Sequence, residues 1–264
     1  MPAFRSELLR LRRRVVVTGW LGLTALFAVL INTVMFSNAS SGSGQAARGP
    51  GVAFPSAQTL QGADGLVAGL GSAATILGVV TLSFWALATA TDYSSGLIRV
   101  LAAAQPRRWR LLAGKVAALV TATAVVTTVA LMANVIAAPL AARSAGLSTQ
   151  RWSHHVAGTL LGGWLHLFLA LFVWGIVGLA LAVAARSSAV AISVGVGYVL
   201  VVESIVSSAF EGIRNWLPGA TLTALAQGGT TEVSMTTALT VAMLYTGAAM
   251  ALSMLVLSRR DITD

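Results

Sequence analysis

Six long apolar stretches alternate with short polar stretches along the chain, and each is long enough to cross a lipid bilayer as a helix. A spanning helix needs about 20 mostly apolar residues. Because only Arg186 to Ser188 separate the fourth stretch from the fifth, these two are predicted to form a tight helical hairpin. The pattern predicts an all-α polytopic membrane protein in which residues 1–264 form a single membrane domain. The predicted spans cover approximately residues 15–36, 66–90, 111–140, 156–184, 187–208 and 235–258.

The composition of the chain also indicates a membrane protein. Only 9% of the 264 residues are charged and 56% are hydrophobic, whereas about a quarter of the residues in a soluble domain are charged. The formal net charge is +9, but the basic residues flank apolar stretches and no aromatic side chains alternate with them. This arrangement is typical of contact with anionic membrane lipids and not with nucleic acid. The chain has no cysteine, which excludes disulfides, cysteine nucleophiles and thiolate metal sites.

The distribution of Lys and Arg predicts the orientation of the chain. With six spans both termini lie on one side, and that side carries thirteen of the 17 basic residues. Five precede the first span, five lie in the second connection, one in the fourth and two after the sixth span. Because cytoplasmic loops carry an excess of Lys and Arg, both termini are predicted to be cytoplasmic. The high use of Ala, Val, Gly and Arg is typical of a GC-rich bacterium, so we expect a bacterial plasma (inner) membrane.

The residues before the first span show helical periodicity. Phe4, Leu8, Leu11 and Val15 recur at spacings of four, three and four, which places them on one helical face. This pattern predicts an N-terminal interfacial helix on the inner leaflet. The alternative is a basic flank that only sets the topology.

The cytoplasmic connection between the second and third spans, "TDYSSGLIRVLAAAQPRRWRLLAGK" (91–115), is predicted to contain a helix over approximately residues 92–105. Thr91 is a suitable N-cap and Asp92 complements the dipole of a helix start. Apolar residues then recur at i, i+3, i+4 and i+7 from Leu97, and Pro106 ends the pattern. The polar face of this amphipathic helix either binds a partner or lies at the lipid surface as a simple linker.

The same connection carries a spaced motif, Asp92-x-x-x-Gly96-x-x-Arg99, followed by Pro106, Arg107 or Arg108, and Lys115. This motif resembles the segment after the second transmembrane helix of ABC-2 type permeases, the membrane subunits of ATP-binding cassette exporters. In that family the segment is the coupling helix, which docks into a groove on the cytosolic nucleotide-binding subunit. The family more commonly has Glu at the acidic position. The resemblance implies an ATPase-coupling role for Asp92, Ser95, Gly96, Arg99, Pro106, Arg107, Arg108 and Lys115.

The resemblance also implies an architecture and partners. It covers the six spans, the cytoplasmic termini, the interfacial helix and "NWLPGATLTAL" (215–225), where the family often has a Pro-containing re-entrant turn. Two copies, or this chain and a paralogue, would pair around a translocation path, each above an ATPase subunit that binds ATP and Mg²⁺. This chain has no G-x-x-x-x-G-K-[ST] loop, so we expect it to be neither the ATPase nor a cofactor-binding protein.

Glu203 and Glu211 are the candidate residues of the translocation path. Glu203 lies in the apolar fifth span, where a carboxylate indicates a functional site by default. It could line a substrate path or hold a turn, or it could lie near the outer interface and reach water. Glu211 belongs to a polar outer rim. The three histidines lack the spacing of metal ligands, so no metal site is predicted.

A second function, from a different class, fits the same composition. The chain could be a stand-alone membrane protein, such as an immunity factor, a scaffold or an ion-driven carrier, with no ATPase partner. An ion-driven carrier would need a buried carboxylate, for which Glu203 is the candidate. The substrate is not indicated by the sequence under either hypothesis.

Two pairs of glycines are spaced four residues apart, Gly65 with Gly69 and Gly158 with Gly162. Such pairs let helix backbones approach closely in membranes. We expect both pairs to serve packing within the chain and not a dimer interface.

Overall fold

A computed structural model describes residues 14–40, 48–49, 52–95, 108–153, 155–209 and 211–259. Within these residues six helical spans are long and apolar enough to cross a membrane, so the chain is an all-helical, multi-pass membrane protein as predicted. The first four spans are α1 (Arg14–Ser40), α3 (Ala68–Ser94), α4 (Arg108–Ser144) and α5 (Val156–Ala185). The fifth span combines α6 (Ser188–Gly197), a π-helical segment (Tyr198–Val202) and α7 (Glu203–Ala209), and the sixth is α9 (Met235–Arg259).

Short elements occupy the connections between the spans. Between the first two spans lie β1 (Arg48–Gly49), β2 (Val52–Ala53), α2 (Ala57–Leu60) and a 3-10 turn (Ala63–Leu66). The two strands pair antiparallel, Arg48 with Ala53. Another 3-10 turn (Gln150–Ser153) precedes α5, and a third (Glu211–Trp216) is followed by the nine-residue helix α8 (Pro218–Ala226).

Helices α3 and α5 form the centre of the bundle and make the most extensive contact between any two helices. Two fully buried tryptophans, Trp85 and Trp174, lie in this contact and each faces a glycine of the other helix. A Cβ atom on Gly175 would come within 2.4 Å of the Trp85 ring, and one on Gly78 within 2.2 Å of the Trp174 ring. The glycines therefore make room for the large aromatic side chains at the core.

A buried chain of amide hydrogen bonds joins the first and third spans to the connection before α3. Asn32 Nδ2 donates to Asn134 Oδ1 at 2.9 Å, and Asn134 Nδ2 donates to the carbonyl of Leu66 at 2.6 Å. Both asparagines are fully buried. Gly69 packs against them, since a Cβ there would lie 2.4 Å from Asn32 Oδ1. Because lipid offers no alternative partners, such bonds favour one arrangement of the helices.

The hairpin between the fourth and fifth spans is confirmed. Arg186 adopts a left-handed conformation with φ of 55° and ends α5. Ser187 follows as the N-cap of α6, and its hydroxyl accepts the backbone N–H of Val190. Two residues therefore suffice to reverse the chain, and α5 and α6 pack against each other.

The glycine pairs behave differently from one another. A Cβ on Gly65 would lie 1.8 Å from the carbonyl oxygen of Leu60, and Gly69 contacts the asparagine pair. In contrast, no atom lies within 4 Å of a Cβ built on Gly158 or Gly162. The expectation of internal packing was therefore wrong for the second pair, because α5 turns these glycines away from its neighbours.

The predicted helix start at Thr91 and Asp92 is also wrong. Helix α3 continues to Ser94, with Ser95 as its C-cap. The hydroxyl of Thr91 donates back to the carbonyl of Leu87 at 2.7 Å, so Thr91 belongs to the last turn of the second span. The rest of the predicted coupling helix, from residue 96 to residue 105, and the N-terminal interfacial helix up to residue 13 lie outside the described residues and stay predictions.

Candidate functional site

An ion pair links the end of the second span to the start of the third. The ammonium of Lys115, on α4, donates to a carboxylate oxygen of Asp92 in the last turn of α3. The Lys115 side chain is 11% exposed and that of Asp92 is 15% exposed. Lys115 is the sole lysine of the chain. Because burial weakens the screening of the pair by water and salt, the attraction is stronger than in a pair on a water-exposed surface.

This ion pair brings together two of the eight predicted coupling residues. Ser95, a third, is exposed and its hydroxyl donates to the carbonyl of Thr91 at 2.7 Å. The carboxylate of Asp92 is turned toward Lys115 and therefore holds the two ends of the connection together. Gly96, Arg99, Pro106 and Arg107 lie outside the described residues, and Arg108 begins α4 without a described side chain.

A second candidate site surrounds Glu203. Its position depends on the spacing of the buried residues along the fifth span. The inward positions of this span are Ala191, Gly195, Val199 and Glu203, each four residues after the last, and all are buried. In a regular α-helix three such steps rotate the side chain by about 120° from the starting face. The π-helical segment Tyr198–Val202 closes its hydrogen bonds over an additional residue. This wider turn keeps Glu203 on the inward face, where it is 8% exposed.

The carboxylate of Glu203 caps the N-terminus of α8. Its Oε2 accepts the backbone N–H of Gly219 and its Oε1 accepts that of Ala220, both at 2.9 Å. A helix start also carries a partial positive charge, which favours a carboxylate there. Both oxygens of the side chain are therefore engaged by one helix end.

Every backbone N–H group in the first turn of α8 has a hydrogen-bond acceptor. Pro218 occupies the first helical position and has no N–H. Gly219 and Ala220 donate to Glu203, and Thr221 donates to the carbonyl of Leu217 at 3.0 Å. Leu217, the N-cap residue, offers no side-chain acceptor. Unpaired N–H groups are costly inside a membrane. Glu203 of the fifth span therefore supplies the acceptors that the residues before α8 do not provide.

Helix α8 is also embedded among three spans. The hydroxyls of Thr223 and Thr75 hydrogen-bond at 2.8 Å, joining α8 to α3. At the other end, the ring of His166 on α5 packs against Gly228. The buried residues Leu222, Ala224, Leu225 and Ala226 belong to the main core cluster. Residues 217–225 of "NWLPGATLTAL" therefore pack into the bundle, whereas Trp216 is exposed.

Two tyrosines complete the surroundings of Glu203. Tyr198, in the π-helical segment, and Tyr245, on α9, both interact electrostatically with its carboxylate. The hydroxyl of Tyr245 donates to the carbonyl of Trp216, just before α8. The sixth span therefore contacts the same helix start that Glu203 caps.

Of the two predicted path residues, the structure positions one. Glu203 is buried and its two oxygens accept backbone N–H groups at the start of α8, which agrees with the alternative that it holds a turn. A role in a translocation path stays a prediction. Glu211 lies in the 3-10 turn before α8, and its side chain is not described. Among the described residues no group of three or more His, Cys, Asp or Glu could hold a metal ion.

Sequence reasoning missed Gly219 and Ala220, which bind the carboxylate through their backbones. The signal was available in two parts: the four-residue spacing of small or apolar positions that ends at Glu203, and the Leu-Pro-Gly start of a helix without a capping side chain. Neither pattern indicates that Glu203 contacts this helix start, because the two are 16 residues apart in the chain.

Replacing Gly219 by alanine tests the cap. A Cβ there would lie 2.5 Å from Glu203 Oε1, so the carboxylate has to move and at least one N–H loses its acceptor. We expect the free energy of unfolding to fall by about 1–3 kcal/mol, measured by thermal unfolding in mild detergent. Gly212→Ala is the matched control, since no atom lies within 4 Å of its Cβ. Equal effects of the two substitutions would contradict the cap.

Comparison with known families identifies the family of the chain. The profile of a family described as "Protein of unknown function (DUF2705)" matches residues 24–263, so the chain belongs to that family. No ABC-2 permease family was matched. No curated protein shows a significant match to the chain.

Proposed function

We propose that this member of the DUF2705 family is the transmembrane subunit of an ABC exporter, forms the translocation path and is driven by a separate ATPase. It would lie in a bacterial plasma membrane with both termini in the cytoplasm. Two permease copies, or this chain and a paralogue, would pair, and ATP and Mg²⁺ would bind only to the ATPase subunits.

The observation that carries the proposal is the ion pair between Asp92 and Lys115. It joins the ends of the connection that contains Gly96 and Arg99, the core of the ABC-2-like motif. A force applied to that connection would be transmitted through the pair to α3 and α4 together. Since α3 lies at the centre of the bundle, a displacement there changes the packing of several spans. Such a link is what an ATPase-driven membrane subunit needs.

The ion pair suggests two different roles for the motif residues. Asp92 and Lys115 engage each other and therefore act as positioning residues. Arg99 lies in the connection between them and is the proposed contact to the ATPase, where its guanidinium can make charge-assisted hydrogen bonds. Pro106 and the following arginines would end the coupling helix at the level of the lipid headgroups.

Co-purification tests the contact through Arg99. The tagged full-length protein is solubilised gently from native membranes and its partners are identified by mass spectrometry. We expect a stoichiometric subunit with Walker motifs, and we expect Arg99→Ala to reduce its recovery about tenfold, as removal of an interface anchor does. Arg143→Ala is the control, because Arg143 is an exposed arginine in the last turn at the opposite end of α4.

Two outcomes would count against the proposal. Recovery of the ATPase that is equal in Arg99→Ala and Arg143→Ala would remove Arg99 from the interface. A protein that purifies without any ATPase in several mild detergents would favour the alternative, a stand-alone immunity factor, scaffold or ion-driven carrier. The burial of Glu203 inside a span is the observation that keeps the ion-driven carrier as the second candidate.

A further inference from the structure

We propose that Glu203 is a proton-sensitive latch between the fifth span and α8: the ionised carboxylate fixes the start of the helix, and protonation loosens its packing. This inference does not rest on the proposed ATPase, because it concerns only contacts within the chain. It would apply equally to an exporter subunit and to a carrier.

The first argument is that the latch connects elements that are otherwise separate. Glu203 belongs to the fifth span, whereas Gly219 and Ala220 belong to the helix that precedes the sixth. The fifth span exposes most of its residues within the chain and makes few other contacts with α8, whereas α3, α5 and α9 all pack against that helix. The position of α8 relative to the fifth span therefore depends strongly on one side chain.

The second argument concerns the acceptors. An ionised carboxylate accepts hydrogen bonds at both oxygens, and here each oxygen accepts one N–H. When one proton binds, the protonated oxygen becomes an O–H donor and accepts poorly. Either Gly219 or Ala220 then loses its partner, and the favourable interaction with the helix dipole is lost as well. The Glu203 side chain is buried within the chain, so little water is available to replace the lost bond.

The third argument is that no described cation compensates the carboxylate. The groups that face it are the backbone N–H groups of α8, Tyr198 on its own span and Tyr245 on α9. Among the described residues, no salt bridge to Glu203 is present. Among the described side chains, His166 on α5 also packs against the α8 segment, but at Gly228, beyond the opposite end of the helix. Protonation of Glu203 therefore directly weakens its hydrogen bonds to α8.

The absence of cysteine from the chain permits a direct test. A single cysteine is placed at Ala224, which is 1% exposed on α8, and the full-length protein is reconstituted in liposomes. Labelling by a membrane-impermeable maleimide is measured between pH 5 and pH 8. Rates are normalised to Thr231→Cys, an exposed position in the loop after α8, which corrects for thiol ionisation. Ala238→Cys, fully buried on α9, reports general unfolding.

We expect normalised labelling at Ala224→Cys to rise about 10- to 100-fold from pH 8 to pH 5, as loss of a charged hydrogen bond predicts. Adding Glu203→Gln should give the fast rate at both pH values, while Ala238→Cys stays slow throughout. In the protein without any cysteine, amide hydrogen exchange at Gly219 and Ala220, corrected for its intrinsic pH dependence, should increase in parallel. This second measurement does not depend on the tolerance of a cysteine in the core.

Three results would overturn the latch. If labelling and corrected exchange are equally slow from pH 5 to pH 8, the contact does not respond to protons. If the pH response persists in Glu203→Gln and disappears in His166→Gln, the histidine is the sensor. If Ala238→Cys becomes as reactive as Ala224→Cys, acid unfolds the bundle and releases no particular helix.

Discussion

Replacing Gly178 by alanine is expected to lower the free energy of unfolding by roughly 3 kcal/mol, at the upper end of typical overpacking effects. A Cβ at this position would lie 2.3 Å from the backbone carbonyl oxygen of Leu82. A main-chain atom of a buried helix cannot move aside as the tip of a side chain can. The methyl group therefore forces α3 and α5 apart along the contact that contains Trp85 and Trp174.

The control for Gly178 is Gly162→Ala, on the same helix. No atom lies within 4 Å of a Cβ at Gly162, so this substitution should be neutral or stabilise the helix by up to about 1 kcal/mol. Thermal unfolding of the two variants in the same detergent gives the comparison. If the two proteins unfold at the same temperature, the close approach of α3 and α5 at Gly178 does not exist.

Replacing Asp92 by alanine is the second large expected effect. The substitution removes the carboxylate that pairs with the largely buried ammonium of Lys115, and breaking a buried ion pair in this way costs about 3–5 kcal/mol. Because the side chains are 15% and 11% exposed, we expect a value near the lower limit. The loss should appear both as a lower unfolding temperature and as faster proteolysis in the connection between α3 and α4.

The charge-swapped double variant Asp92→Lys with Lys115→Asp distinguishes the pair from the separate effects of each side chain. If the pair holds the two helix ends, the double variant should recover at least half of the stability lost in the single variants. A double variant as unstable as the sum of the two single variants would mean that the residues act independently.

The membrane architecture could be predicted because it follows from properties of single segments. Runs of apolar residues locate all six spans, and the Arg-Ser-Ser interruption after Ala185 gives the hairpin, since lipid solvation depends on local composition alone. The error at Thr91 has a local cause as well. A threonine followed by an aspartate is typical of a helix start, but the same two residues can continue a helix when the hydroxyl bonds back to residue 87.

The contacts between segments could not be predicted in the same way. Four-residue glycine spacing marked Gly158 and Gly162, where a Cβ would meet no atom within 4 Å. It missed Gly178, whose contact depends on what the neighbouring helix presents. The cap on α8 likewise depends on a π-helical turn that rotates Glu203 inward. A single sequence does not reveal that turn. The turn changes which side of the helix Glu203 occupies, and the composition of the segment does not reflect that change.

The amide pair between Asn32 and Asn134 has a consequence for the order of biosynthesis. The two residues are 102 positions apart, and at about 5–20 residues per second the ribosome needs roughly 5–20 s to extend the chain from one to the other. During this interval the first span lies in the membrane without its final partner. Asn32 Nδ2 also donates to the backbone carbonyl of Ala28 in the same helix at 2.8 Å. This carbonyl can accept the amide N–H before Asn134 is synthesised. Translation of the third span is then the event that completes the assembly of the first.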